Sequence, residues 1–280
     1  MTAELRAAHV AWFLGKPLAG RGGTDVWLTG VDSLDGATRT DLAFSVYDDP
    51  ERIEASDAGL IICPETTPDV PGRPLIRTAD PKLAFVRVAR EFFARSIDET
   101  EIHPTAVVED GAEVGERCRI GAHVYVGDAV TIGDDCRIHA GTVVGEAGFG
   151  FARDRTGRPL RQVHDGEVVI EDGVEIGANC SIDRAVFGET VVGEGSVLSG
   201  GIHIAHQVKI GENVSIAYGS GVSGSTEIGD GVVVHPHVSV AGHLTVGDGA
   251  ELGIGSTVLD DVPPDTTVVG TPARPISERR

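Results

Sequence analysis

The chain has 280 residues, 38 of them glycine, and aromatic residues make up only 5%. Many tight turns suit this composition better than a core built on large rings, and the length fits two domains or one small domain beside a repeat array. A formal charge of −20 and a pI near 4.8 give a mean field that repels nucleic acid and anionic membranes.

The opening "MTAELRAAHVAWFLGK" lacks the basic start, apolar run and cleavage site of an export signal, and no apolar segment approaches membrane-spanning length. A soluble cytoplasmic protein without membrane insertion is expected. The four cysteines include no CxxC pair, which fits a reducing compartment.

Residues 1–98 read as a small α/β domain. The segments "DVWLTGV", "DLAFSV" and "AGLIICP" have the short apolar alternation of strands. "ADPKLAFVRVAREFFARS" predicts a helix with Asp80 as N-cap and Pro81 at its first position. The boundary falls near "IDETEIHP".

From residue 99 to 276 the chain keeps a six-residue beat. Aliphatic residues start hexads at Ile102, Val108, Val114, Ile120, Val126, Ile132, Ile138 and Val144, then at Ile170, Ile176 and Ile182. A further run goes from Val192 through Ile204, Ile216, Val222 and Val240 to Val258 without a slip. Such a short period predicts a parallel β-helix, in which three hexads form one triangular coil of 18 residues. Position one fills the interior, position five also points inward, and the small residue at position two is expected to make room for the corner. Coils stack at roughly 4.8 Å. Cys118, Cys136 and Cys180 fall at position five and are read as small interior packing residues.

Two breaks interrupt the beat. The excursion over 146–168, "EAGFGFARDRTGRPLRQVHDGEV", must leave at a corner and project from the prism; Phe149 and Phe151 are placed to wall an apolar slot, and Arg153, Arg155, Arg158 and Arg161 to meet phosphate. The second break, "RAVFGET", is short and reads as a corner bulge. Residues 277–280 form a brief tail.

Among the histidines, His206 holds position three of its hexad, and Gly224 holds the same position 18 residues later, one coil above. His243 lies two coils above on the same face, so imidazole, glycine and imidazole should form a line about 10 Å long. That arrangement suits acyl transfer: a histidine takes a proton from an attacking amine or hydroxyl while a backbone N–H holds the oxyanion. His123, His139 and His164 have no such alignment and read as solvated surface residues. His203, His206, His235, His237 and His243 are dense enough to raise zinc, but His235 and His237 sit at positions two and four of one hexad and do not converge with His206. No metal is assigned, and a γ-type carbonic anhydrase relative is the competing reading.

The chain also resembles the UDP-3-O-acylglucosamine N-acyltransferases of lipid A synthesis. The matching motifs are "TGVDSLDGATRTDLAFSV" and "ADPKLAFVRVA", then "VVGEAGFGF", "IGANCSIDRA", "IAHQVKIGENVSIA", "AGH" and "GTPARP", in order and spacing over about residues 20–276. The resemblance implies a uridine-binding α/β domain followed by a left-handed β-helix in a homotrimer. It also implies His206 as general base, His243 as a second functional histidine and Gly224 as oxyanion donor. Phe44, Tyr47, Phe149, Phe151, Asn179, Asp183, His203 and Gln207 then face substrate. No cofactor is implied; the acyl donor is an acyl carrier protein or coenzyme A thioester.

This sequence departs from the family pattern at named positions. Ser199, Gly200, His203 and Gln207 replace polar groups near the acceptor sugar, Tyr47 and Pro50 stand where an Asn and a Tyr hold uracil, and Ala147 replaces an acidic residue. After "GTPARP" only "ISERR" stands where the family has a helical tail that docks the carrier protein. The expected activity is N-acyl transfer to an amino-sugar-like acceptor, nucleotide-linked or free; O- or N-acetyl transfer from acetyl-CoA is the alternative.

Overall fold

The computed structural model describes residues 5–20 and 25–276, so the tail at 277–280 lies outside the described residues. The chain divides into two compact units between Ser96 and Ile97.

In the first unit, β1 (Leu5–Arg6) leads into α1 (Ala7–Leu14). There follow β2 (Leu18–Ala19), β3 (Trp27–Leu28), β4 (Gly30–Val31), β5 (Asp41–Phe44), α2 (Pro50–Ala55), β6 (Leu60–Pro64), β7 (Leu75–Thr78) and α3 (Pro81–Phe92). Strands β4, β5, β6 and β7 run parallel, and β2 closes the edge antiparallel to β7. Asp80 caps α3 by accepting the Leu83 N–H at 2.9 Å, with Pro81 next, so the sequence signal for this helix is realised atom for atom. Helix α2 uses the same device, Asp49 accepting from Arg52 N ahead of Pro50. Ile62 and Leu60 of the central strand are fully buried against Val10 and Val88 of the flanking helices.

The second unit is a left-handed parallel β-helix of about 13 turns. Its three faces are sheets of seven, ten and eight strands, and successive coils pair in register, as in Ile204 beside Val222 and Val222 beside Val240. Position one supplies the interior: Ile120, Ile138, Ile176, Ile204 and Val222 are all 1% exposed or less. Each such aliphatic residue contributes about 1.5–3 kcal/mol of transfer free energy.

Position five carries a second pattern. Thr142, Ser196, Ser220 and Thr226 are buried, and each hydroxyl donates to a carbonyl of the next coil, at Gly177, Gly211, His235 and Ala241 respectively, over 2.7–3.0 Å. Cys118, Cys136 and Cys180 use the slot identically, their thiols reaching the carbonyls of Gly133, Glu171 and Ser199 at 3.0–3.1 Å. They are therefore hydrogen-bonding members of the interior as well as packing groups.

The corner itself is made at position four, not at position two as expected. Arg117, His123, Asp135, Asn179, Gln207, Asn213, Ser225, His237 and His243 all hold this position with φ between 54° and 62°, and glycine takes it elsewhere. Position two is small for another reason: a Cβ there would strike the backbone of the next coil, as at Gly177, where it would come within 2.5 Å of the Ser199 carbonyl carbon.

Candidate active site

His206 follows strand His203–Ile204 of the eight-stranded sheet and stands two residues past buried Ile204, at the corner. Directly above it is Gly224. A Cβ on Gly224 would lie 2.6 Å from His206 Cε1 and 2.9 Å from Nε2, so only glycine lets the imidazole lie over this stretch of backbone. The Gly224 N–H donates to no acceptor among the described residues, which leaves it available to a ligand, while its carbonyl accepts the His243 N–H at 3.1 Å. The third position one coil higher is Gly242. The expected line of two imidazoles and a glycine is thus His206, Gly224 and Gly242, and His243 stands one residue on, exposed, in the left-handed corner conformation.

The excursion shapes the other side of His206. It leaves after strand Val143–Ala147, forms a hairpin of Phe151–Arg153 with Pro159–Arg161, and returns at strand Glu167–Ile170. The "RAVFGET" segment, expected as a bulge, anchors this return: the N–H groups of Asp165, Gly166 and Glu167 donate to the carbonyls of Val186, Ala185 and Gly188. His164 is thereby carried inward. Although the sequence suggests a solvated residue, His164 is only 8% exposed, and its ring meets that of His206 edge to face at 5.6 Å.

Asp183 lies beneath this pair, 5% exposed. Its Oδ1 accepts from the Ser181 hydroxyl at 3.2 Å, and its Oδ2 is 3.6 Å from His203 Nε2. Burial pushes the Asp183 carboxyl above its ordinary range, opposed by the positive charge available on His203, His206 and His164 and by the Ser181 hydrogen bond. The two glycines of "GFG" cover the cluster: a Cβ on Gly148 would meet Asp183 Oδ2, and one on Gly150 would meet His164 Cε1 at 3.0 Å. Four residues from three separate segments therefore form one polar cluster, His164, Asp183, His203 and His206.

The remaining residues singled out from sequence lie elsewhere or serve the backbone. Phe149 and Phe151 stand 5.1 Å apart at 62° and, with Arg153 and Pro159, line a hollow of about 440 Å³ on the excursion. Arg153 donates to the Gly157 carbonyl within the hairpin and Arg161 to that of Ala147 on the strand before it, so two of the four arginines are held by backbone. Gln207 adjoins His206, but its left-handed φ and its N–H, held by Thr190 Oγ1 at 2.8 Å, make it a corner residue. Asn179 is at a different corner, after strand Glu175–Ile176 of the ten-stranded sheet, over Gly141. His235 pairs with Glu251 at 2.6 Å and the His237 ring rests on Tyr218, away from His206. In the first unit, Phe44 packs on Phe85 with ring centroids 4.6 Å apart, and Tyr47 is exposed.

Sequence periodicity alone missed His164 and the glycines that cover it, because the excursion has no register. The signal available was chemical: a histidine near the return of a Gly-Phe-Gly-Phe loop.

The hexapeptide β-helix with a histidine ring over a glycine backbone fits an acyltransferase, and the relatives of the chain establish that class. The family described as "Hexapeptide repeat of succinyl-transferase" matches residues 111–146, 167–205 and 207–235, stepping over the excursion. A UDP-3-O-acylglucosamine N-acyltransferase of Anaeromyxobacter dehalogenans (strain 2CP-C) is 33% identical over 252 residues, covering 75% of this chain and 70% of that protein. One from Caulobacter sp. (strain K31) is 47% identical over 132 residues, 47% of this chain and 38% of its own. The chain belongs to the UDP-3-O-acylglucosamine N-acyltransferase family and is an N-acyltransferase. A UDP-N-acetylglucosamine acyltransferase from Campylobacter jejuni shares the fold, with a TM-score of 0.52 at 24% identity over 62% of this chain and 73% of that one.

Proposed function

We propose that the protein transfers an acyl group from a pantetheine thioester, on acyl carrier protein or coenzyme A, to the amine of a nucleotide-linked or free amino sugar, as a cytoplasmic homotrimer. The observation that carries this reading is the His206 ring lying over the Gly224 backbone with its Nε2 open, since Nδ1 is the nitrogen buried there.

In the reaction the neutral amine attacks the thioester carbonyl while His206 Nε2 takes one of its protons. The oxyanion forms beside the Gly224 N–H, a donor fixed before reaction and therefore stabilising without reorganisation. Collapse breaks the carbon–sulfur bond, and the imidazolium returns its proton to the leaving thiolate, giving amide and free thiol. No serine or cysteine nucleophile is required. The phenylalanine-lined hollow on the excursion offers an apolar surface to an acyl chain.

The test is mass-spectrometric detection of acyl transfer from a panel of acyl-CoAs and acyl carrier proteins to UDP-amino sugars and free amino sugars. A mass gain on an amino sugar is the expected result. Transfer confined to hydroxyl acceptors would overturn the N-acyl reading, and transfer from acetyl-CoA alone would replace it with the acetyltransferase alternative.

A further inference from the structure

Two buried ring nitrogens in the second unit have no partner among the described residues, His206 Nδ1 and His164 Nε2. Their rings meet edge to face, with centroids 5.6 Å apart and planes at 75°. His164 Nδ1 lies 3.1 Å from the Gln162 carbonyl oxygen, which can only accept. The proton of neutral His164 is therefore on Nδ1, and its Nε2 presents a lone pair. If His206 works as a base through its open Nε2, the proton of its own neutral ring must sit on Nδ1. One unpartnered nitrogen is then an N–H and the other a lone pair, both buried, on two rings that meet edge to face.

We infer that His164 is a positioning residue for acyl transfer: its Nε2 accepts the hydrogen bond of His206 Nδ1–H, which fixes the tautomer that leaves His206 Nε2 free to take the amine proton. A small turn of either ring, or one bridging water, closes the remaining distance. The same bond holds the imidazolium once the proton has been taken. The inference rests on the reading of His206 as general base.

The charged and titratable groups that face His206 are Asp183 beneath it, His203 on the adjoining strand and His164 from the excursion; Gly224 and Gly242 above bring none. Asp183 is the rival acceptor. Its Oδ1 is held by Ser181, however, and its Oδ2 sits beside Gly148 and toward His203, with no hydrogen bond to His206. The loop geometry favours His164 for the same reason: Gly150 closes over its ring, and the Asp165–Glu167 backbone is pinned on the following residues.

The experiment uses the full chain with the donor and acceptor found in the panel, comparing wild type with His164→Phe, His164→Gln, Asp183→Asn and His206→Ala over a pH series. Phenylalanine keeps the edge contact and removes the acceptor; glutamine returns a carbonyl oxygen near the place of Nε2. His164→Phe is expected to lower kcat by about 10-fold to 100-fold with KM within about twofold, by disfavouring the working tautomer. Its acid limb in kcat/KM should move to lower pH, because the imidazolium has lost an acceptor, and His164→Gln should restore most of both. A wild-type rate and limb in His164→Phe, or a limb displaced to higher pH, overturns the inference. So does Asp183→Asn reproducing the loss alone. Activity retained by His206→Ala overturns the base reading and this one together, whereas an inactive His206→Ala beside an unaltered His164→Phe removes only the role of His164. Independently of activity, 15N NMR of the histidine rings should find His206 protonated on Nδ1 at neutral pH; protonation on Nε2 contradicts the inference.

Discussion

At Gly224 a single hydrogen makes room for the His206 ring. A methyl group there would sit 2.6 Å from His206 Cε1 and 3.0 Å from Nδ1, so the imidazole must move to admit it. Gly224→Ala is expected to lower kcat/KM by about 100-fold or more, the range for a misplaced base and oxyanion donor, while melting shifts little because the corner faces outward. Kinetics and calorimetry on one preparation check both halves. Asp183 gives a second expectation. Its carboxyl is raised by burial, so folding favours the protonated form; the associated stability is present below the unfolded pKa and lost as pH rises through the folded one. Asp183→Asn should therefore match or exceed wild-type stability at pH 7, with the difference shrinking under acid, as thermal melts across pH would record. Of these residues His206 and Gly224 were legible from an 18-residue spacing, since register converts sequence distance into spatial contact. His164 was not, because a residue inside an unregistered excursion has no such conversion. His243 was legible only approximately: a line drawn through hexads ignores that position four turns the chain.

The element that repeats is a strand, a left-handed corner and an inward hydroxyl or thiol. At the corner, non-glycine residues bear a cost of roughly 1–2 kcal/mol that asparagine reduces by local hydrogen bonding. This explains Asn179 and Asn213 without any ligand. Asn179→Gly is expected to preserve stability and rate, and Asn213→Val to lower stability by about 1–2 kcal/mol. Denaturant melts check the second, and an impaired rate in Asn179→Gly would return that residue to substrate contact. The strand pattern and α3 with its Asp80 cap were readable because periodicity and capping are local. The anchoring of the excursion by Val186, Ala185 and Gly188 was unreadable because it joins two irregular segments through backbone alone.

Taken whole, the molecule is an α/β unit and a long β-helix carrying a net charge of −20. Like charge on this scale opposes compaction, and screening should relieve it: the melting temperature is expected to rise between low salt and about 0.15 M, where the Debye length is about 8 Å. Among the described residues no helix is long and apolar enough to cross a membrane. The beat of six was sufficient to specify the β-helix, since a parallel coil admits one register of its inward residues. The acceptor was not specified, because periodicity fixes where the backbone runs and not which polar side chains meet a substrate.

The most direct measurement is the single-turnover rate of acyl transfer to an amino sugar by wild type and His206→Ala under identical donor loading. Loss of about 100-fold or more in the variant, with folding intact by circular dichroism, is the expected result. An equal rate in the two proteins would contradict the assignment of His206 as the base.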